Sequence, residues 1–519
     1  MTTPAESDRS RVASVLPVPA EVDRTSGEYR LSETTTIRYD SAARPVAEYL
    51  ADLLRPPTGY DLPLAEASGA DRGSQPDTVS LLLSDDPVDP DAGARAGAAD
   101  EGYRLDVTDA GATVRAADAA GLFRGVQTLR QLLPPAVESD RERAGPWRIP
   151  GVEIVDYPRF PYRGAHLDVA RHFFTVAEVT EFVDLVAQYK VNHLHLHLTD
   201  NEGWRLEIDG WPELTGRGAE TDIDGGEGGY YTRSEYEEIV AYAASRYVTV
   251  VPEIDVPAHT GAATAAYPEL SRGDPPESMP ADSGTLDPDA EVTYEFLEDV
   301  LGQVAALTPG PYVHVGADEA DDMSAAEYDR FLARLLPIVA EQGKTPVGWQ
   351  EVVGGGAPSS TVVQYWKEAD IDPASDDASG EAKAAPDYSE YQMVLSPRSH
   401  CYLNFRYAEE VPPDGPETWG RRIASVPTSY DWDPGSHVDG VDESAVLGTE
   451  TALWSEKLAT TDDVEFMAFP RIAGVAERGW SPDAKCDWEG YERRLAAQAP
   501  RWDHLGIEYY RSPAVDWPS

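Results

Sequence analysis

AHLDVARHFFTVAEVTEFVDLVAQYKVNHLHLHL, residues 165–198, contains one complete strand–helix–strand repeat. The run AHLDVA (165–170) reads as a strand. Thr175-x-x-Glu178 then forms a capping box, each residue satisfying the other's end of a helix. Val179, Phe182, Val183 and Val186 follow at helical spacing on one face. VNHLHLHL (191–198) alternates with a period of two, the signature of a strand. A helix between two strands makes them parallel, because the helix is the crossover. The rhythm recurs in YVTVVPEIDV (247–256), YVHVGA (312–317), PVGWQ (346–350), VVQYW (362–366), QMVLS (392–396) and LGTETALW (447–454), with a second capping box at Thr232-x-x-Glu235. Eight such strands predict a (β/α)8 barrel over 153–519, with a doubly wound sheet as the alternative.

Upstream the pattern is mixed. YRLDV (103–107) and TVRAA (113–117) read as strands, and GLFRGVQTLRQLL (121–133) as a helix stopped by Pro134 and Pro135. Residues 12–152 are therefore expected to form a small α+β domain. Residues 1–11 read as a disordered leader and 85–101 as a loop. The stretch 368–390, with eight acidic residues against one Lys, reads as a solvated acidic insertion.

The 519 residues carry 42 Lys plus Arg against 93 Asp plus Glu, a formal charge of −51, and only six of the basic residues are Lys. Such a charge repels nucleic-acid phosphates and anionic lipid, so neither is expected as a partner. Twelve Trp, 26 Tyr and 10 Phe argue for a packed protein rather than a disordered acidic chain. Self-repulsion of this size is tolerable where the Debye length shrinks to about 3 Å, near 1 M salt. The charge therefore predicts the cytosol of a salt-accumulating extreme halophile. Two cysteines, Cys401 and Cys486, make no disulfide framework. No apolar run reaches membrane-spanning length, and the start MTTPAESDRS lacks the basic and apolar regions of a secretory signal. A cytoplasmic location follows as an expectation. Oligomeric state is not legible.

Catalytic groups of a (β/α)8 barrel sit at the C-terminal ends of its strands. There the chain places Asp200-Asn201, His259, Asp318-Glu319, Glu351, Trp366, Tyr402, Trp454 and Glu456, with Asp168 and Arg171 at the first strand. Carboxylates among tryptophans and tyrosines suit a sugar, whose ring faces stack on aromatics while its hydroxyls bond to polar groups. Asp318-Glu319 could set one carboxylate beside a glycosidic oxygen and the other beside the C2 substituent. The bland reading is a surface acidic pair; the apolar strand VHVGA before it argues against that. Asp168 and Arg171 read equally well as an ion pair supporting the barrel. His193-x-His195-x-His197 share a strand face and offer a metal set, as in barrel amidohydrolases. The preferred reading is a strand whose polar positions face helices or the neighbouring strand, with no cofactor or metal. A sugar-binding module without catalysis is the third reading, and the presence of both acids argues against it.

Taken in order, YRGAHLDVARHFF, KVNHLHLHLTDNEGWRLEI, VVPEIDVPAHTGAA, VHVGADEA, GWQE, YLN and ETALWSE resemble family 20 glycoside hydrolases, the β-N-acetylhexosaminidases. The resemblance covers most of the chain, and SVLPVPAEV to GLFRGVQTLRQLLP looks like that family's small N-terminal domain. It implies a retaining exo-enzyme in which the substrate's own 2-acetamido oxygen, rather than a protein carboxylate, attacks C1. By resemblance Glu319 is the general acid and later the base, and Asp318 holds the acetamido N–H. Asp200 and His259 match a relay toward the acid. Arg163 matches an arginine binding the 3- and 4-hydroxyls, and Trp349, Trp366 and Trp454 match the box around the acetamido methyl. Tyr402 matches the donor to the acetamido oxygen, Glu456 the acceptor of the 4- and 6-hydroxyls, and Asn404 a contact to an outer hydroxyl. GlcNAc and GalNAc are not distinguished. Two positions depart from the family. Its usual Gly-Gly before Asp-Glu is Gly316-Ala317, expected to narrow the pocket or to demand negative φ. The second acid of its Asp-Asp pair is Asn201.

Overall fold

The computed structural model describes residues 11–67, 75–86, 88, 101–368, 386–410, 415–418 and 422–518. The chain divides into two compact units. One comprises the residues up to Pro161 with Gln188–Lys190 and Ala473–Ser519; the other comprises Tyr162–Ala187 and Val191–Ile472.

The first unit is built on seven strands: β1 (Glu21–Arg30), β2 (Thr36–Tyr39), β3 (Leu64–Glu66), β4 (Thr78–Leu83), β5 (Tyr103–Val107), β6 (Gly111–Ala116) and β7 (Arg148–Asp156). They lie in the order β1, β7, β5, β6, β4, β2, β3, with parallel and antiparallel neighbours. Helices α1 (Arg44–Thr58) and α2 (Ala119–Leu132) belong to it. The Asp118 carboxylate accepts the Ala120 N–H to cap α2. The helix ends at the residue before Leu133-Pro134, where the following proline disfavours helical backbone. The sequence reading gave everything after 153 to the barrel, whereas 473–519 group with this first unit. Trp480 Nε1 donates to Asp156 Oδ1 at 2.9 Å, and Arg501 bonds Glu138 Oε1 at 2.8 Å. Residues 1–10 of the expected leader, nearly all of the 85–101 loop and residues 369–385 of the expected acidic insertion lie outside the described residues. Arg11, the last residue of that leader, donates to the Arg148 carbonyl.

The second unit is the predicted barrel. Strands β8 (Tyr162–Asp168), β9 (His193–His197), β10 (Thr249–Val256), β11 (Tyr312–Gly316), β12 (Thr345–Trp349), β13 (Val362–Tyr365), β14 (Gln392–Leu395) and β15 (Val446–Thr451) are all parallel and close on themselves. The first begins at Tyr162, three residues before its expected start, because Tyr162 and Gly164 pair with β15 and β9. Helices α3 (Val176–Ala187), α4 (Arg233–Ser245), α5 (Gly261–Ala266), α6 (Glu291–Leu307) and α7 (Ala325–Glu341) lie among the crossovers. Both capping boxes form, with Thr175 and Thr232 bonded to Glu178 and Glu235.

The barrel interior is layered. Tyr162, Val251, Val347, Val362 and Val394 make an apolar floor. Above it His195, Glu253, His314, Gln364 and Glu450 form a fully buried polar layer. Glu450 accepts from Tyr162 Oη at 2.5 Å and Gln364 Nε2 at 2.6 Å, and meets His195 Nδ1 at 2.8 Å. Its neighbour in register is Gly164, where a Cβ would stand 2.3 Å from Glu450 Oε2. The glycine thus leaves the carboxylate its space. The three histidines of β9 face this interior, where they meet side chains of the neighbouring strands β8 and β10 and not the helices, which corrects only the helix part of the expectation. His193 stacks on Tyr162, while His195 and His197 are committed to carboxylates.

Candidate active site

At the C-terminal ends of the strands the chain collects acids and aromatic rings. Trp349, Trp366 and Tyr402 share a buried cluster with Trp454 packed against it. Trp366 and Tyr402 lie nearly parallel, 10° apart with centroids 6.0 Å apart, and Trp349 is 5.8 Å from Trp454. Each wall is pinned: Trp349 Nε1 donates to Glu253 Oε1 at 2.9 Å, and Trp366 Nε1 to Glu351 Oε2 at 3.0 Å. Rigid rings held by buried acceptors make a shaped apolar slot.

Opposite the slot, β11 ends in a backbone that few side chains tolerate. Gly316, Ala317 and Glu319 have φ of +63°, +69° and +48°. A Cβ at Gly316 would lie 1.7 Å from Asp255 Oδ1, so only glycine fits there. Ala317 adopts positive φ and does not force the chain back to negative values, which corrects that expectation. Tyr328 Oη donates to its carbonyl at 2.5 Å. The turn buries Asp318 but leaves the Glu319 side chain 47% exposed.

His259, also at positive φ, lies beneath both acids. Its Nε2 is 3.7 Å from Glu319 Oε2 and 3.8 Å from Asp318 Oδ2, while its Nδ1 meets Asp200 Oδ1 at 3.2 Å. Asp200 in turn meets His197 Nε2 at 2.8 Å and Arg171 at 2.7 Å. Burial pushes Asp200 up, but Arg171 and His259 outweigh it and hold the carboxyl well below its ordinary range. Burial pushes His259 down, and Asp200 and Asp255 outweigh that, holding the imidazole well above its usual value. Asp318 is pushed up to about 7, first by burial and then, against the pull of His259, by Glu351 and Glu319. Glu319 is lowered, chiefly by the neighbouring His259 imidazole 3.7 Å away. The pair therefore separates into a proton-holding Asp318 and an ionised Glu319.

Asp318 Oδ1, Asn404 Oδ1 and Glu456 Oε2 are buried without a hydrogen-bond partner among the described residues. Buried oxygens left unpaired among boxed aromatics are what a polar ligand would satisfy. Burial, then Asp168, raises the pKa of Glu456 against the pull of Arg171.

The structure thus gathers Asp318, Glu319, Asp200, His259, Trp349, Trp366, Tyr402 and Trp454, with Glu456 acting on Arg171 beside them, while Asn404 is buried two residues beyond Tyr402. Arg163 is the exception. It lies near the start of β8, paired with Thr449 and bonded through its backbone to Asn192. Tyr162, Gly164, His166 and Asp168 face the barrel interior, so strand alternation turns Arg163 the other way. Arg171 instead reaches the mouth, with its guanidinium 5.2 Å from the Trp454 ring centroid and ion-paired to Asp168, Asp200 and Glu202. Two further cations stand at the aromatic slot, Lys367 and Arg398, 4.7 and 5.1 Å from the Trp366 ring centroid. Asp255 was also missed; the only signal was an acid inside the apolar run VVPEIDV. Asn201, the other departure, accepts the Gly261 N–H at the start of α5. Away from the mouth, Glu368, His400 and His437 bring ligand-type atoms within 4.8 Å of one another.

Comparison with known proteins decides the family. The description "Glycosyl hydrolase family 20, catalytic domain" matches residues 160–483, and "Glycosyl hydrolase family 20, domain 2" matches 12–157. The chain belongs to glycosyl hydrolase family 20. Among its relatives in the family, a β-N-acetylhexosaminidase of Cellulomonas fimi is 37% identical over 97% of both chains. The solved family 20 enzyme of Streptomyces coelicolor is 44% identical, with a TM-score of 0.88 over 98% of this chain and 99% of that one. The Streptomyces plicatus N-acetyl-β-hexosaminidase in complex with Thio-NAglucal is 46% identical, with a TM-score of 0.87 over 98% of each chain. This family 20 chain is a glycosidase, and among its described residues no helix is long and apolar enough to cross a membrane.

In this family 20 chain the alanine at 317 carries a measurable cost. A Cβ in left-handed backbone costs about 1–2 kcal/mol, partly offset by glycine's greater freedom when unfolded. Ala317→Gly is expected to raise stability by about 0.5–1 kcal/mol, read from the denaturant midpoint at unchanged m. A fall in the midpoint would show that the methyl packs productively.

Proposed function

We propose that the protein is an exo-acting, retaining β-N-acetylhexosaminidase that removes terminal β-linked GlcNAc or GalNAc by substrate assistance. The observation that carries this is the buried Asp318 beside the exposed Glu319, facing a box of four aromatic rings in a family 20 barrel. The acetamido methyl enters the box of Trp349, Trp366 and Trp454, and Tyr402 donates to the acetamido oxygen. Arg171, Glu456 and Asn404 are the groups we assign to the sugar hydroxyls, Arg171 in place of Arg163.

The proton account follows from the pair. In the free site one proton is shared by Asp318 and Glu319 and resides on Asp318. A bound acetamido N–H donates to Asp318 and so favours its carboxylate. The proton is then Glu319's to hold, beside the glycosidic oxygen. The acetamido oxygen attacks C1, the C1–O bond to the leaving group breaks, and Glu319 passes its proton to the departing oxygen. An oxazolinium forms, its positive charge facing ionised Asp318. The carboxylate of Glu319 then takes a proton from water as that water attacks C1 and the acetamide is restored. Two inversions at C1 give retention. Holding the nucleophile within the substrate supplies the high effective molarity of an intramolecular reaction.

The carbohydrate is the proposed partner. A salt-rich cytosol is the proposed setting, supported by the charge of −51. The test is release of 4-nitrophenol from its β-GlcNAc glycoside in about 3 M KCl, where screening reaches a few ångströms, beside the β-glucoside. Cleavage of the first alone is expected. Equal cleavage of both would point to a protein nucleophile and overturn the role of Asp318. Dialysis to low salt without divalent ions is expected to abolish both fold and activity; survival there would remove the halophile reading.

A further inference from the structure

Glu253, fully buried in β10, takes part in no step above, yet His197 and Trp349 bond to it and two further imidazoles lie close by. Its Oε2 meets His197 Nδ1 at 2.5 Å and lies 3.1 Å from His195 Nε2. Its Oε1 accepts from Trp349 Nε1 at 2.9 Å and lies 2.9 Å from His314 Nδ1. From Glu253 a line of alternating imidazoles and carboxylates leads to the acid: His197, Asp200, His259 and Glu319, with steps of 2.5, 2.8, 3.2 and 3.7 Å. It continues away from the site through His195 to Glu450, 2.8 Å from His195 Nδ1.

An imidazole between two carboxylates presents an N–H to each only as the cation. His197 is so placed, between Glu253 and Asp200. Without the Glu253 charge, His197 needs only one N–H, keeps it toward Asp200, and becomes neutral. Asp200 would then face one cation fewer, and its share of charge on His259, the group beneath Glu319, would change.

We infer that Glu253 is a positioning residue for the general acid: through His197, Asp200 and His259 it sets how readily Glu319 gives and takes its proton. The inference rests on the function proposed above. Glu253→Gln is the informative substitution, because the amide oxygen still accepts from Trp349 and the slot keeps its wall. Its amide N–H faces His197 Nδ1, which then acts only as an acceptor.

The experiment compares kcat/KM on a chitobiose-type substrate, whose sugar leaving group needs a proton, with that on the 4-nitrophenyl glycoside, whose leaving group needs little. Glu253→Gln is expected to lower the first about tenfold, at the low end of what losing an outer hydrogen-bonding partner costs, and the second markedly less. In a Glu319→Gln background the same change should add nothing to the leaving-group ratio, since two residues acting through one group are not additive. Equal losses on both substrates, or a full further loss in the double variant, would reduce Glu253 to a structural residue. If Glu253→Gln does not fold, His197→Gln interrupts the same line one step nearer and is read identically. Wild-type protein that cleaves neither substrate would overturn the proposed function; wild-type cleavage with an unaltered ratio in the variant overturns only this inference.

Discussion

Glu319→Gln is expected to lower kcat/KM on a β-linked disaccharide of GlcNAc by about 10³-fold, within the range of 10²–10⁴ for general acid catalysis. The amide keeps the shape of the side chain and removes only the transferable proton. The loss should depend on the leaving group. The parameter kcat/KM reports steps up to the first irreversible one, which for 4-nitrophenol proceeds with little protonation. That substrate should retain most of its kcat/KM, while its kcat falls because the same residue must later activate water. The measurement is a pair of Michaelis curves on the two substrates. Equal losses in kcat/KM would show that Glu319, exposed at the mouth and 3.7 Å from His259, acts in binding rather than in proton transfer.

Asp318→Asn is expected to cost about 10²–10³ in kcat/KM on both substrates, the scale for removing one preorganised group facing developing charge. Here the charge appears on the acetamido group whatever the leaving group, so the loss should not discriminate between them. The pH profile supplies the second readout. With Asp318 up at about 7 and Glu319 held low by His259, the pair carries the single proton it needs below about pH 7 and loses it above. The kcat/KM profile should therefore fall on its alkaline side near pH 7. In Asp318→Asn only Glu319 holds that proton, so the alkaline limb should move to lower pH. Glu202 is also pushed up to about 7, by burial and then by Asp200. A limb that stays in place in the variant would belong to Glu202 and would remove Asp318 from the proton account.

The barrel was legible because its signals are local. Two capping boxes, period-two runs such as VNHLHLHL and apolar helix faces identified all eight strands and their parallel sense. The acid pair and the aromatic slot were legible for a related reason: a strand end is a local feature, and barrel closure brings strand ends together. Arg163 and Arg171 are eight residues apart, so strand alternation alone does not separate them. Arg163 lies at the start of β8 and Arg171 beyond its end, and the ion pairs of Arg171 with Asp200 and Glu202, side chains distant from it in sequence, are what set it at the mouth. The domain affiliation of 473–519 likewise rests on contacts such as Trp480 to Asp156, residues 324 positions apart.

By itself the sequence determined the barrel, the place of Asp318 and Glu319 at the end of its fourth strand, and a formal charge of −51. The tertiary structure alone decided that Asp318 is raised while Glu319 is lowered, because that turns on burial and on His259 and Glu351, which arrive from the ends of two other strands, β10 and β12. It also decided that His195, His197, Glu253 and Glu450 form one line of alternating charge. Such groups are affordable inside a barrel only when each faces its opposite, and that pairing exists only once the sheet has closed.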